Sequence, residues 1–144
     1  MDFNQFDSVA AGNQGAWLHL ASPINGKLLF ADTEETQPCR VKVLGAEGSV
    51  GQDMLKSARE AMQAPADAKD GAEDPNEVLL NETANLIVGF ENVNKGSAPV
   101  EAPKDVGWFL ALQKVVGGNH KSFAELVRSF SVERANFLGN ALSG

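Results

Sequence analysis

The sequence predicts an α+β fold, with a small N-terminal antiparallel sheet of about three strands followed by a mainly α-helical part of about four helices. Three observations predict it. Asn25-Gly26 lies between two apolar runs, Ala16 to Ser22 and Lys27 to Ala31, which is the strongest short-range signal for a hairpin. Val41 and Val43 alternate with Arg40 and Lys42, the period of a half-buried strand. From Ser122 to Asn140 the apolar residues Phe123, Leu126, Val127, Phe130, Phe137 and Leu138 recur mostly at three- and four-residue steps, which places them on one helix face.

In chain order, Asp7 is a cap for a short helical turn that Gly12 stops, and Phe3 and Phe6 ahead of it tuck onto the body. The hairpin and the Cys39 to Gly45 strand supply the sheet. Ser49 with Gln52 reads as a capping box for a helix whose stripe is Met54, Leu55, Ala58, Ala61 and Met62, ending near Pro65. Pro65 to Glu73 has no large apolar residue and several acids, so burial cannot offset the entropy of ordering it, and a flexible acidic linker over 65–76 is expected. Asp74-Pro75-Asn76-Glu77 restarts a helix, with Leu79, Leu80, Thr83, Ala84, Leu86, Ile87 and Phe90 as its buried face. Asn92 to Pro103 reads as a turn-rich connection. Asp105 caps a helix over Val106 to Val116 that Gly117-Gly118 ends, and Ser122 with Glu125 boxes the start of the last helix, which Gly139 closes. The organisation is therefore a sheet lobe with its following helix over 1–64, the linker, and a helical part over 77–144.

Composition narrows the function classes. No apolar run approaches the roughly 18 residues of a bilayer span. The opening residues carry Asp2 and Asp7, no base and no apolar core, which predicts no signal peptide and a cytoplasmic protein. A single cysteine, Cys39, makes neither an internal disulfide nor a structural zinc site. A net charge of −7 disfavours nucleic acid. It is unevenly spread: residues 1–39 carry −4 and residues 104–144 carry +2.

Candidates for chemistry reduce to structural readings. Gly45, Gly48 and Gly51 follow a strand and precede a helix, but the spacing is not that of a dinucleotide loop, and Glu47 would face the anion, so a plain turn is expected. His19 and His120 lack ligand-spaced partners, Cys39 reads as a packing residue, and the pairs Glu34-Glu35 and Glu73-Asp74 lie in solvated loops. Trp17 and Trp108 fit a core role and a contact role equally. No catalytic residue, cofactor or metal is expected, and a small enzyme or nucleotide-binding module lacks the convergent reactive residues it needs.

Several phrases together resemble a siphophage-type tail assembly chaperone. Phe6-Asp7, then Gly15-Ala16-Trp17-Leu18-His19-Leu20, Pro23 and Gly26-Lys27-Leu28, resemble that family's opening hairpin, and Val41-Lys42-Val43-Leu44-Gly45 its next strand. Ile87-Val88-Gly89-Phe90-Glu91-Asn92-Val93 is similar to its G-W-x-N helix end, with Phe90 in place of Trp, and Arg134-Ala135-Asn136-Phe137-Leu138 resembles its closing helix. Where the family usually has a Pro-Trp-Ile-type approach to the last helix, Gly117-Gly118-Asn119-His120 stands. The resemblance implies a non-enzymatic protein of the host cytoplasm, absent from the mature virion. It would bind and solubilise the tape-measure protein, help recruit tail tube protein, and self-associate, with no nucleic acid or membrane partner. The implied contact surface draws on Trp17, Phe90, Trp108, Phe109, Phe130 and Phe137. The alternative is a minor tail or head-to-tail component that stays in the virion.

Overall fold

A computed structural model describes residues 2–63, 75–113 and 120–138. The fold is α+β, a three-stranded antiparallel sheet with helices packed on one face. Its elements are α1 (Ser8–Gln14), β1 (Ala16–His19), β2 (Arg40–Val43), α2 (Ser49–Gln63), α3 (Pro75–Ala84), β3 (Ile87–Glu91), β4 (Asn94–Lys95), β5 (Ala98–Pro99), α4 (Val106–Leu110) and α5 (Phe123–Val132). A 3₁₀ turn over Phe3–Phe6 precedes α1. The strand order is β1-β2-β3, so the valine-alternating strand is central.

The third strand is not where the sequence predicts it. The chain does reverse at Asn25-Gly26, with Gly26 at φ +74° and the Ser22 N–H donating to Lys27 O at 2.8 Å. Beyond that turn, however, residues 27–31 make only isolated bridges, Ala21 to Leu28 and Phe30 to Pro38. Pro38 has no N–H to continue a ladder. The free side of β2 is taken by β3, in a segment that the sequence reads as helix. The misreading has a physical cause. Ile87 pairs with Val43 and Phe90 with Val41, so both face the core although they lie three residues apart, because a bulge between Lys42 and Val43 leaves Val88 as the extra residue. A bulged strand thus imitates the spacing of a helix face.

The sheet is therefore not confined to residues 1–64, and neither is the core. Leu20, Val41 and Val43 are buried with Leu86, Ile87, Val106, Phe109, Leu110, Phe123, Ala124 and Val127 in one cluster. Phe109 links the layers, stacked on Phe123 at 4.9 Å and edge-on to Phe90 at 5.2 Å. The residues expected to form the linker lie, up to Asp74, outside the described residues, as do Gly117, Gly118 and Gly139.

Other boundaries move for identifiable reasons. α1 runs past Gly12 to the cap Gly15 at φ +79°, and Gly12 serves close packing instead. Its other end agrees with the sequence, since Asp7 Oδ1 accepts from the Ala10 N–H at 3.0 Å. At the start of α2 the Ser49 N–H donates to Asn13 Oδ1 at 2.7 Å, a cap reached from α1. α4 ends at Leu110, and Asn92 to Pro103 contains the small β4–β5 hairpin turned by Gly96 at φ +64°. The capping box of α5 is present, Ser122 Oγ accepting from Glu125 N and Glu125 Oε1 from Ser122 N. That helix stops at Val132 because the Ser131 carbonyl accepts from Ala46 N at 2.9 Å and Asn136 Nδ2 donates to Phe130 O at 3.0 Å. A separate turn then returns Phe137 and Leu138 to the core.

Candidate partner-binding groove

At the end of the sheet marked by Arg40 and Glu91, the helical layer leaves an apolar groove of about 230 Å³. Buried Leu20, Phe109 and Phe123 form its floor, and half-buried Leu29, Cys39 and Val93 line it above them. Trp108 and Leu112, the latter 47% exposed, form the lip. Local chemistry fixes each wall. The Leu20 N–H donates to Cys39 O at 2.9 Å, Leu29 N to Leu20 O at 2.9 Å and Cys39 N to Leu29 O at 3.0 Å, which ties three segments side by side. Asn92 ends β3 in the left-handed region at φ +61°, where asparagine is better tolerated than most residues, and its Nδ2 donates to Pro38 O at 2.9 Å. That reversal aims Val93 and Asn94 toward the groove. The Lys95 ammonium on β4 stands 5.2 Å from the centre of the Trp108 ring, a cation–π contact at the groove's edge.

Six residues carry the expected contact surface, and the structure distributes them. Trp108 is at the lip, while Phe109, at 1% exposure, is floor and core rather than presented surface. Phe90 is half-buried against Phe109. Phe137 is buried, with Phe130 half-buried beside it at 5.6 Å, and Phe137 lies against Gly45 at the opposite end of the sheet. These two aromatics hold α5 and the turn after it to the body. Trp17 is 40% exposed on the face of the sheet away from the helices. Its indole reaches across β2 to Gly89, where a Cβ would stand 3.6 Å from the ring. The Arg40 guanidinium lies 5.3 Å from the indole centre and bonds both Glu91 carboxylate oxygens at 2.6 Å. Of the residues lining the groove, sequence reasoning named only Trp108 and Phe109 as contact residues; Leu20, Leu29, Val93 and Leu112 are among those it missed. The signal for Leu20 and Leu29 was the pair of apolar runs around Asn25-Gly26, and nothing local showed that Val93 and Leu112 meet them.

Cys39, His19, His120 and Glu47, weighed for chemistry, have structural neighbours, whereas Glu73-Asp74 lies outside the described residues. Burial pushes the Cys39 thiol pKa up, and Sγ donates to Asn92 O at 3.2 Å, so the thiolate is disfavoured. His19 Nε2 bonds Leu29 O at 2.8 Å and its ring is edge-on to Phe30. His120 packs beside Gly26. Glu47 accepts from Arg134 Nε at 2.5 Å and from Ser8 Oγ at 2.7 Å, which fills the turn after β2 with an ion pair. The glycines there answer to packing: a Cβ on Gly12 would stand 2.8 Å from Gly48 N, and one on Gly45 the same distance from Gly12 Cα. Among the described residues no three of His, Cys, Asp and Glu gather to hold a metal, and no helix is long and apolar enough to cross a membrane. No family model, curated protein or solved structure matches the chain.

Proposed function

We propose that the chain is a tail assembly chaperone of tailed phages, which covers apolar helical segments of a tape-measure protein until tail tube subunits replace it. The observation that carries the reading is the groove whose lip is Trp108 and Leu112. An apolar trough with a tryptophan at its edge suits the side chains that an amphipathic helix presents at i and i+3 or i+4. A volume of about 230 Å³ takes one or two such side chains, so affinity per copy is modest. Many copies along one long chain then supply the avidity, while each remains exchangeable. The acidic surface of a chain with net charge −7 keeps loaded complexes apart in the host cytoplasm, and the protein leaves before the virion is complete.

Co-expression with a tape-measure protein tests this. The wild-type chain is expected to move the tape measure into the soluble fraction, and Leu112→Asp, at a half-exposed position, to lose that effect while keeping its own melting temperature. Solubilisation by Leu112→Asp at the wild-type level counts against the groove. A tape measure that stays insoluble beside the wild-type chain counts against the function.

A further inference from the structure

We infer that the sheet face away from the helices is a second docking surface, and that it takes an extended acidic segment of a partner protein with carboxylates at every second residue. The inference goes beyond the groove reading and does not depend on it, since none of Trp17, Arg40, Lys42 and Gly89 lines the groove.

Strands turn alternate side chains to opposite faces. Val41 and Val43 are buried under the helices, so Arg40 and Lys42 turn to the bare side, where Lys42 stands between its cross-strand neighbours Trp17 and Gly89. The face is an apolar plate with cations beside it. The indole crosses β2 to Gly89, the Arg40 guanidinium lies 5.3 Å from its centre, and Val88 next to Gly89 is exposed. Neither cation is fully used. Both Glu91 carboxylate oxygens accept from one nitrogen of Arg40, Nη2, which leaves Nη1 free for another acceptor, and Nε is buried with no acceptor at all. Among the described residues the Lys42 ammonium has no ion pair.

Charge and spacing name the occupant. Arg40 and Lys42 against Glu91 leave this face one positive charge in a chain of net charge −7. The aromatic pair at the N-terminus has surroundings of the opposite sign: Phe3, 73% exposed, and Phe6, 46%, stand clear of the body, contrary to expectation, between Asp2 and Asp7. A partner with carboxylates is therefore drawn to the sheet face and away from that turn. Residues two apart on an extended strand are separated by about 6.6 Å, and carboxylates on alternate residues of an extended segment repeat at the same interval. Laid along β2, such a segment offers one carboxylate to Arg40 Nη1 and the next to Lys42 Nζ, while its side-chain methylenes cover the indole. It needs only those two charges. A polynucleotide brings one charge per nucleotide along its whole length, against the repulsion of the entire acidic molecule.

The test uses Trp108→Phe, whose emission comes from Trp17 alone, titrated with a peptide of alternating glutamate and serine about ten residues long. A glutamine–serine peptide and an oligothymidylate of the same length are titrated beside it. Up to about 1 mM the acidic peptide is expected to shift the emission saturably and the glutamine peptide to leave it unchanged, with added salt weakening the binding. In the same background Lys42→Gln should weaken binding about fivefold and Lys42→Glu abolish it, both with unchanged circular dichroism. The neutral variant keeps the comparison valid where the reversed charge disturbs the sheet. No shift with the acidic peptide, an equal shift with the glutamine peptide, or Lys42→Gln binding as tightly as its parent overturns the inference. Tighter binding of oligothymidylate overturns it by assigning the face to nucleic acid, and an emission shift with protein concentration alone overturns it by placing a second copy there.

Discussion

Gly12 and Gly107 both sit inside helices, where glycine costs roughly 0.5–1 kcal/mol relative to alanine, yet their surroundings are opposite. A Cβ at Gly12 would press on the Gly48 backbone, which cannot swing aside as a flexible side chain can, while a Cβ at Gly107 would meet nothing within 4 Å. Gly12→Ala is therefore expected to destabilise by about 1–3 kcal/mol and Gly107→Ala to stabilise by about 0.5–1 kcal/mol, both read from denaturant midpoints. A shift of the same sign in both would show that helix propensity alone sets the outcome. At this scale the sequence is legible where a residue acts on its own neighbours: Ser122 with Glu125, Asp7 with Ala10, and Asn25-Gly26 all behave as their local chemistry requires. Gly12 was not legible, because the atoms that exclude its Cβ belong to residues 45 and 48.

Between elements, the Glu47–Arg134 pair joins the turn after β2 to the chain following α5, and Ser8 adds the start of α1 to the same carboxylate. The Arg134 hydrogen bond, then the Ser8 hydroxyl, hold the Glu47 pKa below its ordinary value. A carboxyl whose folded pKa is depressed contributes stability above its unfolded pKa and loses it as pH falls through the folded one. Because both partners are solvent-exposed the contribution is small, and salt screens it. Glu47→Gln should accordingly melt below wild type at about pH 7, with the gap closing on titration to about pH 2. A gap that stays constant across that range would show that the charge of Glu47 plays no part. Element legibility follows the same division into local and distant causes. β2 is readable because its valines alternate without interruption, whereas the bulge at Val88 disguises β3 and the capture of the Ser131 carbonyl by Ala46 cuts α5 short.

As a whole, the molecule is a sheet covered on one face, and most of what the sequence revealed concerns that covered side. The α+β class follows from periodicity, since a spacing of three to four residues and a two-residue alternation each need a buried face. The groove does not, because its floor is assembled from Leu20, Phe109 and Phe123, which meet only once β3 completes the sheet and α4 is laid on it. Residue type left Trp108 equally suited to core and to contact, and only the fold places it at the groove's lip while enclosing Phe109 beside it.

The placement of the indoles has an optical consequence. The chain contains two tryptophans and no tyrosine, so its near-ultraviolet emission comes from two spots, one on the bare sheet face and one at the lip of the groove. In Trp17→Phe the emission reports Trp108 alone, and a ligand that shields that ring should move the peak toward the blue without any label attached. An unchanged spectrum at saturating ligand would place the ligand elsewhere on the molecule.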